Sequence, residues 1–278
     1  MGSFGDTGRN LIADLQQGSF NSFLMAILGG FVFNLANILF IASVRIAGMA
    51  VAFPIAIGIA LVEGVIINYV AEPSGNAFLI FTGVAFITIA ILVDAKAYSK
   101  LKDASNKTEN DNTGIIYAII GGILMGLFYY LVQRAISPNL TELEVGKFGP
   151  YAAVLVFTFG TLISNFVYNT YVMKHPFSGE QIVSYASYFT NWFKRNQTIS
   201  ILGGVVNGIG ITFNLIASGS VGDSVAYGLG QGATMAAAIW GVFVWKEFKD
   251  APKSTYKLIT AMFVFYILGL ILLVISKI

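Results

Sequence analysis

The sequence contains no cysteine and a single histidine, His175, in 278 residues. That excludes disulfides, thiolate nucleophiles and Cys-ligated metals. One histidine, set beside Pro176 with no carboxylate cluster around it, is a poor metal site. Charge is also scarce: 11% of residues are charged, against roughly a quarter in a soluble domain. A chain this apolar cannot build the polar surface that water requires. The formal net charge of +2 is too small an electrostatic footprint for nucleic acid. The opening residues 1–17 lack a basic segment followed by an apolar core, so they do not read as a signal peptide. A phosphate-binding G-x-x-x-x-G-K-[ST] loop is missing, so this chain does not draw on ATP directly.

What the chain has in abundance is apolar residues, 56% of the total, with Phe alone occurring 23 times. A bilayer removes the need for a polar surface, and about 20 consecutive apolar residues cross it as a helix. Eight such stretches are expected, at residues 20–44, 46–70, 76–96, 114–136, 149–173, 197–217, 222–245 and 255–276. Residues 97–113 are charged and rich in Asn, Ser and Thr, which predicts a solvated loop. Residues 174–196 carry Tyr185, Tyr188, Phe189, Trp192 and Phe193 at helical spacing, which predicts an interfacial amphipathic helix. On alternate sides of the eight spans, Arg9, Arg134, Lys147 and Lys277 fall together, and the other twelve of the 16 Lys and Arg face them. The positive-inside rule puts the richer side in the cytoplasm and both chain ends outside.

The chain repeats itself. Residues 28–30 and 202–204 both read Leu-Gly-Gly. At the same offset, Gly48-Met49-Ala50-Val51-Ala52-Phe53 lies over Gly222-Asp223-Ser224-Val225-Ala226-Tyr227, and Gly58 over Gly232. With a short gap, Asn37 approaches Asn214. Two spans precede the second copy and none precedes the first. Five spans per half would invert the halves across the membrane, a recurrent transporter architecture. The fold class expected is therefore an all-α integral membrane protein of about eight transmembrane helices, part of a ten-helix inverted-repeat (5+5) transporter whose first two helices this chain lacks. Residues 1–98 form an incomplete first half of three helices, 99–113 a cytoplasmic linker, and 114–278 a second half of five.

These residues resemble a known family. The block Leu28-Gly29-Gly30 with Asn34 and Asn37, followed by Gly48 through Tyr69, resembles the glucose/ribose porter and ureide permease branch of the drug/metabolite transporter superfamily. Ala52-Phe53-Pro54-Ile55 with Gly58 is similar to the sugar-porter side. Gly30 to Asn34, Gly64 to Asn68-Tyr69, and the entry segment Leu11 to Gln16 are similar to the ureide side. The resemblance implies ten helices in two inverted halves and transport of a small solute. The ureide permeases carry Glu one position after the residue matching Ala52, where this chain has Phe53, so their site does not transfer residue by residue.

Ionisable groups inside hydrocarbon cost several kcal/mol unless paired or wetted, which makes them functional candidates. Glu63, in otherwise apolar surroundings within 46–70, is read as the lone membrane carboxylate and as a proton-coupling or substrate-binding group. Asn34 and Asn37 share a helix face, as do Asn207 and Asn214. Their amides suit a hydroxyl- or amide-rich solute, and interhelical hydrogen bonding is the competing reading. Gln231, within Gly228-Leu229-Gly230-Gln231-Gly232, is a further binding candidate, with small-residue packing as its rival. Pro54 removes a helical hydrogen bond and is a candidate hinge. Asp223 reads as a helix N-terminal cap. Trp240, Trp245, Tyr69 and Tyr266 read as interfacial or packing aromatics.

The function these features predict is a secondary active permease of a small polar metabolite, sugar or ureide-like, proton-coupled and working by alternating access. A bacterial inner membrane is the expected location. No catalytic residue, metal or cofactor is expected, nor any nucleic-acid partner. The partners are the solute, the lipid bilayer and, in one arrangement, a second copy of the chain. The alternatives are a transport-inactive or scaffold membrane protein and a multidrug or nucleobase exporter. An intramembrane enzyme would need a nucleophile with its base or a metal cluster, and the composition provides neither.

Overall fold

The computed structural model describes residues 9–102, 112–140, 142–177, 182, 184–190, 195–246, 248–249 and 251–277. Among them, regular structure is helical, apart from one parallel bridge between Ile136 and Phe148. The helices are α1 (Leu11–Gln17), α2 (Phe20–Ala47), α3 (Met49–Ala71), α4 (Ala77–Lys102), α5 (Asn112–Ala135), α6 (Pro150–Lys174), α7 (Tyr185–Thr190), α8 (Arg195–Val221), α9 (Asp223–Gly230), α10 (Gly232–Ile239) and α11 (Lys253–Ile275). Seven of these, α2 to α6, α8 and α11, are long and apolar enough to cross a membrane. The protein is an all-α integral membrane protein.

The eighth apolar stretch, 222–245, is present but segmented into α9, α10 and a π-helical turn, Trp240–Val244. Glycines at 228, 230 and 232 surround the interruption at Gln231, and each weakens a helix by about 1 kcal/mol relative to Ala. There the Thr234 hydroxyl donates to the Gln231 carbonyl at 2.6 Å, a local bond that competes with the helical ladder. The π turn closes where the Trp245 N–H reaches the Trp240 carbonyl at 3.0 Å. In contrast, α3 runs as one helix through Pro54. Of the predicted interfacial helix, only α7 forms a described element; Trp192 and Phe193 lie outside the described residues.

Two helix junctions are alike in backbone geometry. Gly48 and Gly222 each turn the chain from one helix into the next, with φ 80°, ψ 161° and φ 86°, ψ 154°. That left-handed region favours glycine. In both corners the same hydrogen bond follows: Ala52 N–H to the Gly48 carbonyl and Ala226 N–H to the Gly222 carbonyl, each at 2.9 Å. Asp223, expected as a cap, is the first residue of α9, and Gly222 holds the cap position.

The chain forms two compact units. The first comprises residues 1–34 and 131–219, the second residues 35–130 and 220–278. Segments 1–98 and 114–278 each contribute to both.

In the first unit, α2 and α6 cross at backbone contact. A Cβ on Gly30 would lie 2.3 Å from the Phe157 carbonyl oxygen, and one on Gly160 would lie 2.5 Å from that of Ile27. A polar clamp ties α1 to the 136–149 link. Buried Asp14 accepts the Gly149 N–H at 2.7 Å and a Gln17 amide N–H at 3.1 Å, and it pairs with Arg9 at 3.3 Å. Arg9 also donates to the carbonyls of Glu144 and Lys147, both at 2.9 Å, and Gln17 accepts the Gly146 N–H at 2.6 Å. The Lys147 ammonium in this link is held below the usual lysine range, by burial first and by the nearby Arg134 charge second, with Glu144 opposing.

In the second unit, α4 and α11 repeat the small-residue device. A Cβ on Gly83 would lie 2.9 Å from the Gly269 carbonyl oxygen, and one on Gly269 would lie 2.7 Å from that of Gly83. Close backbone approach of this kind is how membrane helices gain contact without a hydrophobic driving force.

Candidate functional site

The second unit contains a cavity of about 320 Å³. Its walls come from the start of α3 (Phe53, Pro54, Ile57), the end of α4 (Ile91, Asp94, Ala95, Tyr98), the segmented region (Ala233, Thr234, Ala238, Gly241, Trp245) and Tyr266 of α11. The lining is mostly apolar and aromatic, with a few polar groups. One is the hydroxyl pair of Thr234 and Tyr266, 2.6 Å apart. The other is the Asp94 carboxylate. Aromatic walls with one carboxylate and two hydroxyls match the general make-up of small-molecule sites, where apolar faces enclose and sparse polar groups orient.

Glu63 lies further along α3, six residues beyond Ile57, or about 9 Å at the helical rise. Its carboxyl group rests against α5, because Gly126 has no side chain: a Cβ there would stand 3.3 Å from the Glu63 carboxyl carbon. One carboxyl oxygen, Oε2, is buried without a hydrogen-bond partner. The next residue, Gly64, makes room for Tyr227 of α9, whose ring a Cβ would meet at 2.3 Å. The buried Tyr227 hydroxyl lies within reach of the Ala60 carbonyl at 3.1 Å and the Met125 carbonyl at 3.2 Å. It has one proton for two acceptors, and it stands in the field of Glu63. Tyr129 of α5 packs on the Tyr227 ring at a centroid distance of 5.1 Å.

The other candidates are placed as follows. Pro54 lines the cavity, and Gln231 marks the interruption beside the cavity residues Ala233 and Thr234. None of the four asparagines lines this cavity. Asn34 is buried and donates to the Ser164 hydroxyl of α6 at 2.9 Å, an interhelical bond. Asn37 and Asn214 are half-buried and hydrogen-bonded or otherwise engaged, and Asn207 is exposed on α8.

Sequence reasoning missed Asp94. Glu63 is not alone in the spans, since Asp94 lies inside α4 and on the cavity wall. Its signal was present, an acid ending the run Ile89 to Val93 inside the span 76–96. Trp245 and Tyr266 were read as packing or interfacial aromatics, and they line the cavity. Among the described residues no group of three or more His, Cys, Asp or Glu could hold a metal ion.

Membrane-crossing helices with an aromatic, sparsely polar cavity among them define a multi-pass membrane protein. Comparison with known proteins specifies the class. The ureide permease profile matches residues 1–113 and 106–276. The chain is 22% identical to "Ureide permease 1" of Arabidopsis thaliana, over 100% of this chain and 84% of that protein. It is 22% identical to "Ureide permease 2" of the same plant, over 100% of this chain and 83% of that one. It is also 22% identical to "Putative sugar uptake protein YxfA" of Lactococcus lactis, over 92% of this chain and 79% of that one. No solved structure matches. The chain belongs to the ureide permease family and is a membrane transporter of small solutes, not an enzyme.

Proposed function

We propose that this chain is a secondary active permease of a ureide or a sugar-like solute, coupled to protons through Glu63 and working by alternating access. The cavity carries the reading. It binds the solute between Phe53, Tyr98, Trp245 and Tyr266, and Asp94 with the Thr234–Tyr266 pair orients it. Glu63 stands one and a half turns away on the same helix, near enough for solute and proton to act on α3 together. The relatives' names, two ureide permeases and a sugar uptake protein, support both solute classes. Gln231, where the helix is interrupted next to Thr234, and Pro54, in the cavity wall, are the bending points of this scheme. The cavity residues Asp94, Tyr98 and Trp245 neighbour Lys96, Lys100 and Lys246 in sequence, so the positive-inside rule turns the cavity toward the cytoplasm and both termini outward. A bacterial inner membrane and an inverted-repeat arrangement of the helices complete the proposal. The paired corners at Gly48 and Gly222 favour the repeat.

The test is uptake into proteoliposomes under an imposed proton gradient, with labelled allantoin, ribose and uracil as probes. Proton-driven accumulation of allantoin or ribose, lost in Glu63→Gln, is the expected result. Accumulation indifferent to the gradient and to Glu63→Gln would sink the coupling, and accumulation of uracil alone would move the substrate class.

A second reading, a chain that does not transport as a single copy, has one observation in its favour. Only 6% of the apolar window of α8 is buried, and nothing lies within 4 Å of a Cβ placed on Gly203, Gly204, Gly208 or Gly210. A second copy is the partner we propose for this face. Disulfide cross-linking of Asn207→Cys in native membranes tests it, and a chain that stays monomeric rejects it.

A further inference from the structure

The side of Glu63 away from the cavity has its own polar feature. Asn68 is 1% exposed and Ser224 is fully buried. The Asn68 amide donates to the Gly64 carbonyl at 2.7 Å, while its oxygen, Oδ1, has no hydrogen-bond partner. The Ser224 hydroxyl has none either. An unmet buried polar group costs about 1–3 kcal/mol, so two of them call for an explanation.

Helical spacing places both in the contact between α3 and α9. Gly64 meets Tyr227 across the α3–α9 contact, and Asn68 is four residues from Gly64, on the same helix face. Ser224 is three residues from Tyr227, also on one face. The two helices run antiparallel, since the Gly222 corner meets Ser74 beyond the end of α3. Asn68 and Ser224 therefore lie in one seam, between the Gly64–Tyr227 contact and the Gly222 corner. Glu63 is five residues before Asn68, about 7.5 Å along the axis.

We propose that this α3–α9 seam is the proton route to Glu63, with Asn68 Oδ1 and Ser224 Oγ holding a short file of water between the Gly222 corner and the carboxylate. The inference rests on the coupling role proposed for Glu63. It adds that proton and solute reach α3 from opposite directions: the solute by the cavity at Phe53–Ile57, the proton by the seam beyond Gly64. Neither Asn68 nor Ser224 changes its own protonation. A hydronium gives its proton to the Glu63 carboxylate, leaving a carboxylic acid and a water. Around Glu63 the titratable groups are Tyr227 from α9 and Tyr129 from α5. From α4, Asp94, Lys96 and Tyr98 lie toward the Phe53–Ile57 end of α3. At the mouth of the seam stand Glu72 and Lys277, the latter bonded to the Ser74 hydroxyl at 2.8 Å.

The experiment is pH-jump infrared spectroscopy of the full chain in lipid nanodiscs, following the carboxylic-acid carbonyl band that Glu63→Gln abolishes. Ser224→Ala and Asn68→Leu are each compared with the parent. Ser224→Ala removes a hydroxyl that bonds to nothing, so that variant keeps its fold. The expected result is a band of the same final amplitude that rises about tenfold more slowly, the kinetic equivalent of one lost hydrogen-bonding step. If both variants keep the parental rate, the seam is not the route, and the role of Glu63 stands unaffected. If no band depends on Glu63 at any pH, the coupling role fails and the seam falls with it.

Discussion

Asp14 in the first unit is buried and Glu63 in the second is half-buried with one buried oxygen, and the two carboxylates are held differently. Around Asp14 two N–H donors and a guanidinium converge on both oxygens. Other polar groups of that unit follow suit, with Asn34 on Ser164 and Gln133 on Ser218 at 2.6 Å. Glu63 keeps an oxygen that nothing bonds, and the same unit buries the unpartnered oxygens of Asn68, Ser224 and Thr255. In the first unit the corresponding atom among the described residues is Arg9 Nε, which still faces Asp14. Satisfied networks hold one geometry, whereas unmet groups mark where a protein spends stability on function. The cavity lies in the unit with the unmet groups.

The comparison breaks if the two carboxylates respond alike to removal of their charge. Asp14→Asn turns an N–H donor toward other donors and should lower stability by about 3 kcal/mol, the usual scale for dismantling a buried ion pair, read by chemical unfolding in mixed micelles. Glu63→Gln in the same assay sharpens the contrast, because its oxygen loses no bond. An equal loss of stability in both would remove the distinction.

A smaller effect separates the two Leu-Gly-Gly runs, 28–30 and 202–204. Gly30→Ala drives a methyl into the Phe157 carbonyl and should cost about 2 kcal/mol, within the range for overpacking. Gly204→Ala, in the second run, meets nothing within 4 Å and should stay within about 0.5 kcal/mol of the parent. A large cost at Gly204 would show that α8 is covered in the membrane, as a second copy would cover it.

Thr234→Val keeps the shape of the cavity wall and removes the bond to Tyr266. Expected is a loss of about 1 kcal/mol in solute binding, measured by calorimetry with the probe that proves to be transported. Unfolding in the absence of solute should change less. The smallest shift belongs to Glu63→Gln, whose stability should move by no more than about 0.5 kcal/mol while its uptake collapses.

Much of the architecture was legible beforehand. The crossing helices leave their marks in long apolar runs. The site was less legible. Asp94 was passed over at the end of an apolar run, and the two aromatics of the cavity were masked by the commonness of aromatics at membrane interfaces. The asparagines show why: an amide in a helix carries the same sequence signal whether it binds a solute or, as Asn34 does, meets a serine on the next helix.

The sequence by itself determined that this chain lives in a bilayer, because 11% charge leaves no other solvent for its apolar segments. The tertiary structure alone decided which polar groups are met and which are not. That depends on what stands opposite: Ser164 opposite Asn34, Gly126 opposite Glu63, Tyr227 opposite Gly64. Hydrogen bonds are short and directional, so their fulfilment is a property of pairs distant in the chain, and no local pattern encodes it.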